Sequence, residues 1–535
     1  MSTTLSFKRG IDKPEWRYIS TALTGSLVGQ SFCHDERNAS WADPHIWVLQ
    51  ALTYLNKYNP RTDGWNSDPA FTTLGGAIGP GTIAVFCPSH GPTGLVGGSP
   101  STTSFTLATL PNAASVNINA LANNGNNIGY RIRVYGNGSG GTGKCEERTI
   151  ISNTGGTAPV IVVDSAFSFT PQTTDHYEIM AGCVYMLTTG STAAGYWKAY
   201  DIATQTCSGN LSVTNLIATV ATDGDAVMLD EQYVPYDQIP GNGMLSGGAT
   251  YNGAINQAIQ ATAADGTHIT GSGMPATLTT NEYVNFQIRI VECTGVPTSV
   301  GQRRKISANG SGATGQFTIY NAWTVNPDST AKFVVENNND LIYIGSTTQV
   351  TYSYAAGGYA ADANWSTAGA SGGGTQYANP PAAPGAGNLI IPCYGVEVDA
   401  SRNTRHSHLI WFKGGASNIL YRLDIANGAN GTWSSALTVP NNINFSAGTT
   451  GAYEPCTNNG RYFYINVNGT IRNLRFDVQR LAFEPWADVR YSPGAAVVGG
   501  RCAFWYFRDG ATVLPFFVVM GQVNVSCFEC PIIPN

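Results

Sequence analysis

"YNPRTDGW", Tyr58 to Trp65, holds an aromatic, an Asn-Pro pair, a Thr-Asp-Gly turn and then a tryptophan. Pro, Asp and Gly in such order mark a reversal between two strands. Found once, the stretch is a loop; repeated, it decides the architecture. It is repeated. "YDIATQTC" runs from Tyr200 to Cys207, "YRLDIANGANGTW" from Tyr421 to Trp433, and "LRFDVQRLAFEPW" from Leu474 to Trp486. "YAADANWST" sets Trp365, and "GIDKPEWRYIS" sets Trp16, in a similar place.

Apolar strands stand upstream of most units: "HIWVLQALT", "GCVYMLTTG", "HLIWFKGG" and "RYFYINVNG". Alternation predicts one buried face for each. "PHIWVLQALTYLNKY" (Pro44 to Tyr58) has a helix-like pattern, but Tyr54 and Tyr58 lead into the repeat turn, so two strands are expected there. Composition agrees with an all-β chain. Only 12% of its 535 residues are charged, while 42% are hydrophobic and 62 are Gly, a balance that favours many strands and turns over disorder.

The six markers are Trp16, Trp65, Cys207, Trp365, Trp433 and Trp486, with Tyr58, Tyr200 and Tyr421 ahead of three of them. Four-stranded sheets packed face to face around an axis bury a core that none buries alone. A Trp at a fixed place would fill the wedge between neighbours. The last strands, "CAFWYF" and "TVLPFFVVMG", have no downstream Trp, so the N-terminal strand is expected to complete their sheet. The units resemble Kelch-like blades, in which a Tyr precedes a turn and a Trp follows it. The resemblance spans about 370 residues and implies an all-β, Kelch-like β-propeller of about six blades, closed by the N-terminal strand. The chain departs from it at Cys207, where a Trp belongs, and its paired glycines are patchy.

Two spacings between markers, 142 and 158 residues, exceed the other three (49, 68 and 53) by the size of a small domain. The excess segments match each other. "YRIRVYGNGSGGTGKCEERTIISNTGG" (Tyr130 to Gly156) aligns without gaps to "FQIRIVECTGVPTSVGQRRKISANGSG" (Phe286 to Gly312), at a constant offset of 156. Arg133 falls on Arg289, Arg148 on Arg304, Asn153 on Asn309 and Phe167 on Trp323, while Glu147 faces a different residue, Arg303. The expected organisation is propeller over 1–99, module 1 over 100–176, propeller over 177–245, module 2 over 246–332 and propeller over 333–535. Each module reads as a small antiparallel sandwich or barrel. Arg133, Arg148, Arg289 and Arg304 are candidates for an interface, where Arg is enriched, or for bonds to their own loop carbonyls.

The net charge of -6 without a Lys/Arg run disfavours general nucleic-acid binding. "GQRRK" (Gly301 to Lys305) is expected to be a solvated strand end. The 11 cysteines are scattered and expected to be small reduced hydrophobes. Cys527-x-x-Cys530 and His406-x-His408 lack the further ligands a metal needs, and His34-Asp35-Glu36 reads as solvated loop. Letter matches to glycine motifs ("GASGG" from Gly369, "GNGSGG" from Gly136, "GSGGTGKC" from Gly138) do not stand between a strand and a helix. Asp223, Asp225, Asp230 and Glu231 are assigned to a strand edge and loop. The Pro-rich stretch after Gly369 reads as a linker, and the loops around 369–388 are candidates for contacts between subunits. No catalytic residue, cofactor or metal is expected, and the chain is expected not to be an enzyme. No apolar run is long enough for a membrane-spanning helix, and no secretory signal is expected in "MSTTLSFKRGIDKPEW", which has no apolar core.

The module pattern R-x-I-x-x-N followed by A-F/W-x-x-x-P (Arg148 to Pro171, Arg304 to Pro327) resembles small β-domains of tailed-bacteriophage virion proteins. With the Kelch-like units it implies a structural tail component of the nozzle or hub type. Such a protein is made in the host cytoplasm and carried in the virion tail. The partners implied are copies of itself in a homo-oligomeric ring of six, an adaptor, fibres, and DNA passing without sequence-specific contact. A glycan-binding receptor protein and a polysaccharide depolymerase are the alternatives.

Overall fold

The computed structural model describes residues 17–20, 32–35, 45–51, 54–59, 64–67, 74–76, 82–87, 91–108, 131–180, 183–188, 196–201, 206–208, 210–216, 224–229, 255–272, 274, 278, 280–281, 283–336, 340–345, 349–356, 364–370, 374–393, 408–425, 430–439, 443–454, 461–468, 472–478, 480–486, 502–509, 512–520 and 527–531. Among them there is no α-helix; beside one 3-10 turn at Pro297–Ser299, the regular structure is all β. No helix of the described residues is long and apolar enough to cross a membrane.

The chain begins with β1 (Arg17–Ser20). Sheet 1 is the antiparallel meander β2 (Phe32–Asp35), β3 (His45–Ala51), β4 (Tyr54–Asn59) and β5 (Gly64–Ser67). Sheet 2 opens with β6 (Ile83–Cys87). The chain then leaves it for module 1: β7 (Thr93–Leu95), β8 (Ser104–Thr106), β9 (Arg131–Tyr135), β10 (Cys145–Asn153), β11 (Val160–Val163) and β12 (His176–Met180). It returns as β13 (Cys183–Leu187), β14 (Trp197–Asp201) and β15 (Thr206–Cys207). Sheet 3 is interrupted at the same point. β16 (Asp225–Met228) precedes module 2, which comprises β17 (Ile255–Ala264), β18 (His268–Ser272), β19 (Gln287–Cys293), β20 (Arg303–Asn309), β21 (Gln316–Ile319) and β22 (Ala331–Glu336). β23 (Asp340–Ile344), β24 (Thr351–Ala355) and β25 (Trp365–Ser366) complete sheet 3.

Sheet 4 holds β26 (Leu389–Cys393), β27 (His408–Phe412), β28 (Ile419–Asp424) and β29 (Thr432–Trp433), with β30 (Leu437–Thr438) also on β28. Sheet 5 holds β31 (Thr450–Glu454), β32 (Tyr462–Asn466), β33 (Asn473–Asp477) and β34 (Ala482–Pro485). Sheet 6 holds β35 (Cys502–Asp509), β36 (Thr512–Met520) and β37 (Cys527–Pro531). Its fourth strand is β1, with Arg17 opposite Glu529 and Tyr18 opposite Phe528. The first strands of the six sheets touch in cyclic order: β2 meets β6, β6 meets β16, β16 meets β26, β26 meets β31, β31 meets β35, and β35 meets β2. Asp225 Oδ2 accepts the Ile390 N–H at 2.9 Å and so ties β16 to β26.

The repeated stretch acts through strand register. Tyr58 stands opposite Trp65, Tyr200 opposite Cys207 and Tyr354 opposite Trp365, so each turn sets an aromatic against the residue that follows it. Tyr58 and Trp65 have ring centroids 4.8 Å apart. In sheet 4, Leu423 is the residue opposite Trp433, and Tyr421 instead stacks on Trp411 at 5.5 Å. Trp65, Cys207, Trp365 and Trp433 lie on the fourth strands, and Trp486 follows β34 directly. Trp16 lies outside the described residues.

The upstream strands were expected to bury one face; those of sheets 1, 2, 4 and 5 bury both over their described side chains. In β13, Cys183, Tyr185 and Leu187 pack with Leu341, Tyr343 and Tyr354 of sheet 3. Val184 and Met186 point the other way, toward Trp47, Leu49 and Leu55 of sheet 1. A strand pressed between two sheets has no wet face, which is why "CVYML" reads as a continuous apolar run. Trp197 and Trp365 bridge sheets 2 and 3 with ring centroids 5.0 Å apart, and neither is exposed. Truncating such a core aromatic to Ala costs about 3–5 kcal/mol.

Other expectations change. "GQRRK" is buried throughout. Arg303 and Lys305 reach the buried carboxylates of Glu178 and Asp340, so these charges are neutralised inside instead of by solvent. The Pro-rich stretch is no free linker over 374–388: Tyr377 is fully buried and donates to Asp340 Oδ2 at 3.3 Å, and Trp433 Nε1 donates to Ala378 O at 2.9 Å. "GNGSGG" and "GSGGTGKC" form the connection between β9 and β10, with strands on both sides. The first glycine of "GASGG" lies in a turn closed between Thr367 and Ala370. His406, Glu36, Asp223, Asp230 and Glu231, and the side chains of His34, Asp35, His408, Cys527 and Cys530, lie outside the described residues.

Candidate functional site

The two modules share one topology. Module 1 is a six-stranded sheet in the order β7-β12-β9-β10-β11-β8; module 2 is a closed barrel in the matching order β17-β22-β19-β20-β21-β18. The outer edges of module 1 also meet, through a bridge between Val96 and Leu107 and an Ala108 N–H donated to Leu95 O at 2.9 Å. The offset of 156 holds from β9 onward. Before it the offset is 164, because Phe105 opposite Ile161 corresponds to Ile269 opposite Phe317.

Arg148 and Arg304 do the same work in each copy. Arg148 donates from Nε and Nη2 to Ala166 O at 3.1 and 2.7 Å, and its guanidinium lies 4.9 Å from the Phe167 ring centre. Arg304 donates from Nε to Ala322 O at 2.9 Å and lies 5.8 Å from Trp323. Both also donate to the carbonyl of the preceding residue at 2.7 Å. Each therefore fastens a loop within its own module.

Arg133 and Arg289 lie at a seam between the modules. Arg133 is buried on β9, with Glu147 opposite on β10 and Glu178 opposite on β12. It donates from Nε to Glu147 Oε1 at 2.6 Å and from Nη1 to Glu178 Oε2 at 3.4 Å. In module 2 the residue opposite Arg289 on β20 is Arg303, a like charge, and the one on β22 is Val334. Arg289 turns to Glu336, at 2.9 Å from Nε and 2.5 Å from Nη2. Arg303 crosses the seam and donates to Glu178 Oε2 of module 1 at 3.0 Å, beside the Tyr135 hydroxyl, which donates to the same oxygen at 2.9 Å. Arg289 also approaches Cys145 Sγ of module 1 at 3.6 Å.

Equivalent positions of the two modules also reach backbone carbonyls across the seam. Asn137 Nδ2 donates to Val300 O at 2.9 Å, and Cys293, the equivalent of Asn137, donates its N–H to Gly143 O at 2.7 Å. Lys144, the equivalent of Val300, bridges Glu292. Each module presents the same hairpin to the other, the arrangement of a two-fold contact. Gly143 has φ +68°, and a Cβ built there runs into the Cys293 carbonyl, so the seam closes on bare backbone. Module 2 is tied to the sheets as well, by Lys305 Nζ to Asp340 Oδ1 at 3.1 Å and by Asn285 Nδ2 to Ile425 O at 2.7 Å.

Burial raises the carboxyls of Glu147 and Glu336, but the arginines outweigh it and hold both at about 2: Arg133, Arg131 and Arg289 for Glu147, and Arg289, Arg133 and Arg303 for Glu336. Burial pushes the Cys145 thiol up to about 11. The seam is thus a set of fixed, paired charges suited to holding two modules in one orientation. Among the described residues no group of three or more His, Cys, Asp or Glu stands where it could hold a metal ion. Glu178, Glu336 and Tyr135 carried no sequence signal of their own. Arg303 was marked as the position where the copies differ and as part of "GQRRK", read as a solvated strand end.

No family model and no curated protein matches the chain. Among solved structures, AofleA from Arthrobotrys oligospora is similar at TM-score 0.31 and 11% identity, covering 97% of this chain and 87% of its own. The intramolecular trans-sialidase from Ruminococcus gnavus is similar at TM-score 0.34 and 7% identity, covering 96% of each chain. The endosialidase of phage phi92 is similar at TM-score 0.25 and 10% identity, covering 98% of this chain and 58% of its own. Two of these three are sialic-acid-processing enzymes by name, and the expectation that this chain is not an enzyme is withdrawn on that finding. Likeness at this level carries no activity, substrate or partner over to the chain.

Proposed function

We propose that the six sheets are the blades of a Kelch-like β-propeller, that the two modules are a rigid pair displayed on it, and that the chain is a tail component of a tailed-bacteriophage virion, of the nozzle or hub type. The observation that carries the reading is the shared insertion point. Both modules leave between the first and second strands of consecutive sheets and dock through a buried, charge-matched seam. The cyclic contacts of the first strands and the pairing of β1 with β37 support the closed ring of blades. The module motif around Arg148 and Arg304 supports the virion assignment by resemblance. Arg133 and Arg289 are used within the chain, so contacts with neighbouring tail proteins fall to other surfaces.

Electron microscopy of the purified full chain, with its mass from light scattering, tests the reading. A closed homo-oligomeric ring, or a monomer that becomes a ring only on tail particles, is the expected result. A lone monomer or trimer that binds host glycans, or releases reducing ends from host polysaccharide, overturns the nozzle or hub assignment. Deleting residues 1–20 tests ring closure separately, through the loss of the fourth strand of sheet 6; an unchanged melting curve counts against it.

A further inference from the structure

We propose that Cys87 and Cys183 are a disulfide site, and that an oxidising environment links them into a covalent staple across the neck of module 1. The neck consists of two strands. β6 ends at Cys87 as the chain departs for the module, and β13 begins at Cys183 as it returns. The two residues stand directly opposite one another in an antiparallel register, and both side chains are buried in the same cluster between sheets 2 and 3. Opposed Cβ atoms in such pairs lie roughly 4.5–5.5 Å apart, and a disulfide needs about 3.5–4.5 Å, so a small local shift closes the bond.

The pairing is particular to this place. The other cysteines whose side chains are described face different residue types: Cys145 faces Tyr135, Cys207 faces Tyr200, Cys293 faces Ala331 and Cys502 faces Val519. At the neck of module 2 the corresponding pair is Met228 and Leu341, and that module is held instead by the Lys305–Asp340 ion pair and the Asn285 bond to Ile425. Each module thus has its own fastening to the sheets.

The chemistry is thiol–disulfide exchange with a small-molecule disulfide as oxidant. One cysteine, as its thiolate, attacks the small disulfide, forms a mixed disulfide and releases one small thiol. The second then attacks the cysteine sulfur of that mixed disulfide, forming the Cys87–Cys183 bond and releasing a second small thiol. The two cysteines lose two electrons and two protons in total, and the small disulfide gains both. Burial, followed by the neighbouring Cys87 and Asp201, holds the Cys183 thiol well above its ordinary range. Oxidation therefore requires the neck to open and is expected to be slow.

The test uses the full chain, incubated natively in glutathione disulfide or in reduced glutathione, then blocked with an alkylating agent during unfolding and mapped without reduction. The expected result is one peptide pair linked through Cys87 and Cys183, two fewer alkylated thiols at those positions, and a higher melting temperature that reductant reverses. Cys183→Ala should abolish both the linked pair and the melting shift. Full alkylation of Cys87 and Cys183 after oxidation, glutathione mixed disulfides only, or links elsewhere such as Cys527 to Cys530, would overturn the proposal. The peptide map of the unaltered chain decides it even if the variant does not fold.

Discussion

Module 1 and module 2 descend from one pattern and differ most usefully at a single aligned position. Where both carry Arg, at 148 and 304, the two side chains bond equivalent carbonyls and lie over equivalent aromatic rings. Where one carries Glu147 and the other Arg303, the environments diverge. Glu147 neutralises Arg133 within its own sheet, and Arg303, set against the like charge of Arg289, takes its partner from the other module. What each module needs alone is unchanged between copies; what it needs with its partner is reversed in sign. Two identical hairpins meeting in this way would bring like charges together, and the reversal turns the contact into a matched pair.

The largest effect is expected from breaking that match. Glu178 is fully buried and accepts from Arg133, Arg303 and Tyr135. Glu178→Gln takes the carboxylate from the buried Arg303 and leaves Arg133 with Glu147, and removing one partner of a buried ion pair costs about 3–5 kcal/mol. Denaturant unfolding with limited proteolysis should show the loss and new cleavage at the seam. The charge exchange Glu178→Arg with Arg303→Glu should recover part of it. A double variant no better than the sum of the singles would show that direct pairing is not what holds the seam.

Gly143 tests the backbone side of the same contact. Gly143→Ala sets a side chain at φ +68° and into the Cys293 carbonyl, whereas Gly140→Ala, at φ +76°, meets open space. Both incur the strain of the left-handed region, of order 1–3 kcal/mol. The excess for Gly143 measures the seam closure, and equal melting shifts would remove Gly143 from it. Smaller still is Arg148→Lys or Arg304→Lys, which loses the planar fork to one carbonyl and the stack on one ring, about 1–2 kcal/mol. Arg304 is the more buried, so its replacement should cost more.

The four-stranded sheets were legible because their signals are local: a turn, an aromatic before it and a Trp after it. The modules were legible as a duplication for the same reason, an ungapped register. The seam was not, because its partners come from strands far apart. Arg303 and Glu178 are 125 residues apart, and nothing in "DHYEIM" distinguishes Glu178 from a solvated acid. "GQRRK" misled for a related reason: a run of charge reads as solvent-facing until the acids it meets in space are known. Trp197 escaped notice because it lies on a strand, away from the turn that marks the repeat.

Titration separates the seam from the sheets by sign. Glu147 and Glu336 fall from an ordinary value of 4.5 to about 2, so their contribution to stability is complete above 4.5 and disappears as pH falls through about 2. Asp201, at the end of β14 and opposite Cys183, goes the other way: burial pushes it from 3.8 to about 7. Its contribution is complete below 3.8 and is lost as pH rises through about 7, where the carboxylate must ionise in place. Hydrogen exchange followed strand by strand should therefore show β9, β10, β19 and β20 loosening first in acid, and β13 and β14 loosening as pH rises from about 4 to 8. Asp201→Asn should flatten only the second trend, and Glu147→Gln only the first. If the two regions loosen together at both ends, the seam and sheet 2 are one cooperative unit, and the two modules are fixed to the sheets as firmly as to each other.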